Sequence, residues 1–391
     1  LSDSSNRVIL SADAVYNGVG LPVVDGGVLV AGLGEARTVV AFGKLGVLRA
    51  QYPEVRVERV GRAILPAPVN AHTHLDLSGF AFSSAPYSDW MRALVAQMVA
   101  NRALRGVDAA RRGLEVIARS GAGAFGDIVA RPDVMDMLLG QSPLPGVAYW
   151  EVFERDPAKA QEVFAQTVSS VRRWRSMERP SGVRVGLSPH TPMTVSSVLM
   201  RELVNFARLE GLPVQIHVAE SPLEVELFQT GAGALADVYR AWGMPGLEET
   251  IARAPSPDLT PVKYLAELGV LEARPTLVHA VNVTEEDVRI IAQYGCPVVT
   301  CPRSNAALHC GTFPWALYAR YGVEVGLGTD SVASGETLSI FDEMQAALET
   351  HGASNLATIV RWAVKGGYKA LGMKPPVVAR GDAFSRLAMW A

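Results

Sequence analysis

The feature that most restricts this chain is an alternation. Short apolar runs of strand length take turns with longer stretches whose apolar positions recur at helical spacing. Runs over 65–75, 122–128, 146–153, 183–187, 213–218, 276–279, 297–300 and 323–328 read as strands. In the first intervening stretch Trp90, Leu94 and Met98 repeat every four residues, with Asp89 near the start; further helices are expected over 109–119 and 157–177. Strands alternating with helices build an α/β fold with a parallel sheet, and eight such units fill a (β/α)8 TIM-type barrel. Such a barrel typically takes about 250 residues. The span 65–371 exceeds that, with the surplus mainly over 230–261, a Gly- and Pro-containing excursion expected to form a lid or pocket wall.

The residues before this region follow a different pattern. Short β-rich pieces at 8–10, 27–30 and 38–41 are separated by glycine-containing turns, Asp25-Gly26-Gly27 among them. They predict a small β-sandwich-like module, and the turn-plus-strand pattern over 381–390 is expected to return and complete it. The resulting division is 1–64 plus 372–391 for the module and 65–371 for the barrel.

Composition removes several classes of function. Among 391 residues, 49% are hydrophobic and 19% charged, with a formal net charge of −3 and no run of like charges. A nucleic-acid partner is therefore not expected. No apolar run reaches bilayer-spanning length, and the polar start, Leu1 to Asn6, lacks an export pattern. Cys296, Cys301 and Cys310 are odd in number and form no C-x-x-C pair, which fits reduced thiols in a cytoplasmic protein.

In barrels of this kind, functional side chains gather at the C-terminal ends of the strands. Polar residues collect there in this chain. The first strand ends in His72-Thr73-His74, and alternate strand positions share a face, so both imidazoles can aim at one point. The fourth strand ends at His190, the fifth carries His217 with Glu220 three residues on, the sixth ends at His279 and the eighth at Asp330. Five of the seven histidines thus lie at strand ends, a pattern that points to a metal site.

This set resembles the amidohydrolase superfamily, in its mononuclear deaminase branch related to triazine hydrolases and adenosylhomocysteine deaminases. The resemblance covers nearly the whole chain. It implies one divalent metal, zinc first and iron or manganese as alternatives, held by His72, His74, His217 and Asp330. It also implies catalytic roles for Glu220 as proton shuttle, His279 as the partner of the attacking water, and Asp330 as acceptor of that water's proton. Cys301-Pro302-Arg303-Ser304-Asn305 and 328–334 are similar to two further signatures of the branch. Binuclear relatives bridge two metals with a carboxylated lysine on the fourth strand. No lysine lies near 183–190 here, so one metal follows.

The phrases His72 to Ser78, Tyr149-Trp150-Glu151-Val152-Phe153 and Cys301 to Asn305 look most like the aminodeoxyfutalosine deaminases of menaquinone biosynthesis. That likeness implies a hydrolytic deaminase of a 6-aminopurine nucleoside that releases ammonia. Asp76 departs from the glutamate expected at its position, which puts a ribose-binding role there in doubt. Expected substrate contacts are His190, Trp90, Phe80, Ser334 and Arg303, the last as partner for the substrate's carboxylate. The partner class is a small molecule, with a homodimer considered. Two other readings stay open: a ring-amide or triazine hydrolase of the same branch, and a non-catalytic barrel scaffold.

Overall fold

The computed structural model describes residues 6–352 and 355–391; the first five residues of the polar start lie outside them. Four strands open the chain: β1 (Arg7–Val15), β2 (Val23–Ala31), β3 (Thr38–Lys44) and β4 (Val57–Pro66). The body follows with β5 (Val69–Thr73), β6 (Ala124–Val129), β7 (Gly146–Val152) and β8 (Val183–Pro189). It continues through β9 (Gln215–Val218), β10 (Thr276–His279), β11 (Val298–Thr300) and β12 (Val325–Leu327), before β13 (Leu387–Trp390).

All eight strands expected from the alternation are present. They form two four-stranded parallel sheets, β5-β6-β7-β8 and β9-β10-β11-β12, each in chain order. Parallel bridges Leu187↔Val214 and Thr73↔Asp330 join the outer strands of one sheet to those of the other. Every residue of β5, β6, β9, β10, β11 and β12 is buried. This is why these segments read as unbroken apolar runs instead of alternating ones.

The helices between them form for local reasons. In Val107–Arg119 the buried Ala110, Leu114 and Ile117 share one face, and fully burying a side chain such as Leu114 stabilises by about 1.5–3 kcal/mol. Helix Glu285–Tyr294 starts on a capping box: the Thr284 hydroxyl accepts from Asp287 N–H, and the Asp287 carboxylate accepts from Thr284 N–H at 2.8 Å. It stops at Gly295, whose φ of 68° suits the left-handed end that glycine tolerates.

The terminal segments build one five-stranded sheet in the order β13-β4-β1-β2-β3. As expected, the C-terminal strand returns, pairing antiparallel with β4 from Leu387↔Pro66 to Trp390↔Ala63. Alternate residues of β1 and β2 supply two apolar faces. Val8, Leu10, Val28 and Val30 line one; Ile9 and Leu29 line the other, where Leu48 of helix Leu45–Gln51 packs. That short helix covers the face on which a sandwich-like arrangement would need a second sheet. The expected turn at Asp25-Gly26-Gly27 is a correction: these residues lie inside β2, and chain reversal falls at 16–22. Gly26 is there because a Cβ would meet Val15 Cγ2 at 2.7 Å, so close packing, not turning, requires it.

The excursion after β9 carries helices Ala234–Ala241 and Leu247–Ile251. It is fastened to the loop after β7 by Arg155, which is 2% exposed. The guanidinium donates to the Pro245 carbonyl from Nε at 3.1 Å and Nη2 at 2.6 Å, donates to the Met193 carbonyl, and lies 4.2 Å above the Tyr239 ring. The three cysteines are free and buried. No helix among the described residues is long and apolar enough to cross a membrane.

Candidate functional site

The strand-end residues meet at one place. His72 leaves the end of β5, His217 points from β9, His279 ends β10, and Asp330 follows β12. Ring centroids of His72 lie 5.0 Å from His74, 4.9 Å from His217 and 5.8 Å from His279. His74 stacks on His217 at 5.4 Å. Asp330 Oδ1 stands 3.7 Å from His72 Nε2 and 3.4 Å from His74 Nε2.

Behind the rings, neighbours fix which nitrogen carries hydrogen. Gln215 Nε2 donates to the Ala71 carbonyl, so its Oε1 turns to His72 and accepts from Nδ1 at 3.0 Å. The His190 carbonyl, an acceptor only, takes the Nδ1 hydrogen of His217 at 3.1 Å. Asn305 Nδ2 donates to Thr300 Oγ1, leaving its Oδ1 to accept from His279 Nδ1 at 3.0 Å. In all three rings the Nε2 lone pair therefore faces the common centre. The hydroxyls of Ser304 and Ser334 donate to Asp330 Oδ2, each at 2.7 Å, and leave Oδ1 toward the histidines.

This donor set fits a divalent cation. His72 Nε2 is buried with no hydrogen-bond partner among the described residues, an uncompensated lone pair that a metal would satisfy. Ligand atoms of His72, His74 and Asp330 lie within 4.8 Å of one another, as do those of His72, His217 and His279. Burial pushes the His74 imidazole down to about 3 and that of His217 well below its ordinary range, so both are neutral and able to ligate. Burial works the other way on Asp330, yet the surrounding histidines hold it well below the usual carboxylate range. The orientation of the His72, His217 and His279 imidazoles by an amide or carbonyl oxygen is the arrangement that metal ligation uses.

Glu220 and His279 occupy the side of the cluster beyond Asp330. Glu220 Oε1 is 3.6 Å from His279 Nε2. Its backbone is held by Glu224, whose carboxylate accepts from Glu220 N–H at 2.9 Å, and by Asn282, which donates to its carbonyl at 2.7 Å. Burial, helped by the nearby Asp330 charge, pushes the Glu220 carboxyl up to about 8, so it is mostly protonated at neutral pH. The turns that deliver these groups are conformationally costly. Ala219, His279, Ala280 and Asp330 all have positive φ, between 44° and 66°, at about 1–3 kcal/mol each for such residues.

Of the expected substrate contacts, His190 lies at the site. Its ring is 5.1 Å from His217, with Nδ1 bonded to Thr194 Oγ1 at 2.8 Å and Nε2 facing Glu151 at 3.8 Å. Ser334 meets Asp330 and orients its carboxylate. Phe80 is buried with Leu77 and Ala333, where Trp90 also packs and donates to the Ala333 carbonyl at 3.1 Å. Arg303 is held by Glu336 at 2.6 Å and by the Gly335 carbonyl at 3.0 Å. Asp76 is buried against Arg105 at 2.5 Å.

Sequence reasoning assigned no role to Gln215, Ser304, Asn305 or Asp127. Asp127 accepts from Thr73 Oγ1 and from Leu75 N–H at 2.9 and 2.8 Å, holding the residues on both sides of His74. For Gln215 a signal existed: it sits two residues before His217 and so shares its face.

Residues 63–381 match the family described as the amidohydrolase family. The chain is 51% identical over 383 residues to the aminodeoxyfutalosine deaminase of Deinococcus radiodurans, covering 98% of this chain and 90% of that one. It is 24% identical over 329 residues to the 5-methylthioadenosine/S-adenosylhomocysteine deaminase of Carboxydothermus hydrogenoformans, or 81% of this chain and 70% of that one. In fold it is similar to the Helicobacter pylori aminofutalosine deaminase solved with methylthio-coformycin: TM-score 0.70 and 20% identity, over 96% of this chain and 90% of that one. The zinc-bound atrazine chlorohydrolase of Arthrobacter aurescens shares the fold at a TM-score of 0.67 and 17% identity, over 96% and 85%.

Proposed function

The chain belongs to the amidohydrolase family, and we propose that within it this protein is a hydrolytic deaminase of a 6-aminopurine nucleoside, with aminodeoxyfutalosine as substrate. The observation that carries this reading is the 51% identity over 98% of the chain to a protein of that activity. The converged histidines, Glu220 and Asp330 support it independently. We propose further that the two parallel sheets close into one (β/α)8 barrel over 65–371, supported by the bridges at their edges. The terminal sheet, 1–64 plus 372–391, would be a separate module.

His72, His74, His217 and Asp330 Oδ1 would hold one divalent ion, zinc being the best match to imidazole and carboxylate donors. Such an ion, when bound, supplies a Lewis acid that lets water ionise near pH 7. The protein's own groups manage the protons. Asp330 accepts one from the attacking water. His279, neutral through burial and with its Nε2 lone pair forward, accepts a hydrogen bond from that water and aims its oxygen at the ring carbon. Glu220 delivers its proton to the ring nitrogen beside that carbon, where negative charge builds as the oxygen adds. The proton that Asp330 took from the water passes to the exocyclic amine, the added hydroxyl returns its own proton to Glu220, and ammonia leaves as the ring carbon becomes a carbonyl.

The test is ammonia release from aminodeoxyfutalosine, adenosine, methylthioadenosine and adenosylhomocysteine by the purified, metal-loaded protein. The reading predicts turnover of at least one, with the highest kcat/KM for aminodeoxyfutalosine. No turnover of any of the four would reject it.

A further inference from the structure

Glu220 and His279 occupy one side of the metal-facing cluster, and a nucleoside has a second end to be held. From Glu220 the groups run in a row across the strand ends. His279 Nε2 is 3.6 Å from Glu220, the His279 ring 5.7 Å from His217, and the His217 ring 5.1 Å from His190. Beyond His190 stands Glu151, near the end of β7 and paired in register with Ser188 of β8. Its Oε1 is 3.8 Å from His190 Nε2, outside hydrogen-bond range. Two residues further on, the Phe153 ring is 43% exposed and 5.6 Å from His190.

We propose that Glu151 is the residue that binds the vicinal ribose hydroxyls of the substrate; this rests on the nucleoside-deaminase reading above. A purine with its amidine edge at Glu220 projects its sugar from the opposite, imidazole edge, toward His190 and Glu151. Apart from Glu220, which faces the amidine edge, the other buried carboxylates around the site already have donors. Asp76 is bonded to Arg105, Asp127 to Thr73 and Leu75, Glu224 to Glu220 N–H, and Glu343 to Arg303 N–H. Glu151, with its side chain only 17% exposed, accepts no hydrogen bond from any described residue. A largely buried carboxylate without donors is unfavourable until a ligand supplies them, and two adjacent hydroxyls offer two O–H donors to one carboxylate. Phe153 gives the sugar's carbon edge an apolar surface. This assignment also explains how the chain manages with Asp76 occupied: the hydroxyl acceptor comes from the third strand of the body and not from the first loop.

The experiment compares aminodeoxyfutalosine with its 2′,3′-dideoxy analogue on the metal-loaded wild type, Glu151→Ala and Glu151→Gln. Wild type is expected to prefer the diol by about 10⁴-fold or more in kcat/KM, as sites built for substrate hydroxyls do. In Glu151→Ala that preference should shrink to within about threefold, through a higher KM for the diol substrate with kcat little changed. Glu151→Gln, which keeps the shape but loses the charge, should fall between and serves if the alanine variant does not fold. A wild-type preference that persists in both variants, whatever their absolute rates, overturns the proposal. Failure of the wild type to deaminate any nucleoside rejects the underlying reading, and the proposal with it.

Discussion

The two halves of the site are held very differently. On the side of β5, β9, β10 and β12, His72, His217, His279 and Asp330 each have a second contact behind the atom that faces the centre. Gln215 holds His72, the His190 carbonyl holds His217, Asn305 holds His279, and two serines hold Asp330. On the side of β7 and β8, His190 has one tether, to Thr194, but Glu151 has no donor and Phe153 is open to solvent. On the proposed function, the difference marks where each task would sit. Chemistry demands a fixed geometry, within a few tenths of an ångström, so its groups are tethered from outside. Recognition leaves polar capacity unfilled until a ligand arrives.

The sharpest way to break this contrast is to remove the proton donor from the tethered half. Glu220→Gln keeps the shape but carries no transferable proton. It should lower kcat by about 10²–10⁴-fold while metal content measured by elemental analysis stays at wild-type level. Near-normal kcat would remove the shuttle role. A smaller effect is expected from Gln215→Ala, which leaves His72 Nδ1 without its acceptor. Competition with a chromophoric chelator should show about 10–100-fold weaker metal binding, with activity restored at high metal concentration. The same affinity as wild type would mean the tethers are incidental. Smaller still is Arg303→Ala. With its guanidinium occupied by Glu336 and Gly335, it should change KM for aminodeoxyfutalosine by less than about threefold, as for a surface ion pair. A loss of 100-fold or more would return Arg303 to the substrate's carboxylate.

Much of the tethered half was legible in the sequence because its groups are imidazoles and carboxylates at the ends of apolar runs. His72, His74, His217, His279 and Asp330 are brought together, and each expected strand exists to within a few residues. The tethers were not legible for a physical reason. An amide or hydroxyl has no chemical signature until its partner is known, and Gln215 meets His72 across 143 residues of chain. The expected aromatic wall shows the same limit: Trp90 and Phe80 have the helical or loop spacing of either a pocket or a core, and here they pack with Leu77 and Leu94. In the terminal module the Gly26-Gly27 pair read as a turn because glycine commonly marks one, whereas close packing against Val15 was the demand it met. Glu151 lies within the phrase Tyr149 to Phe153, but only the three-dimensional row from Glu220 through His190 shows what it faces.

The central claim is that three imidazoles and one carboxylate converge on a single divalent ion. Elemental analysis of the full-length protein, purified after expression with added zinc and dialysed against metal-free buffer, tests it directly when run beside His217→Ala and Asp330→Ala. The account predicts about one equivalent of divalent metal per wild-type chain and well under half an equivalent in either variant. Wild-type protein without metal, or variants that retain the full equivalent, would contradict it.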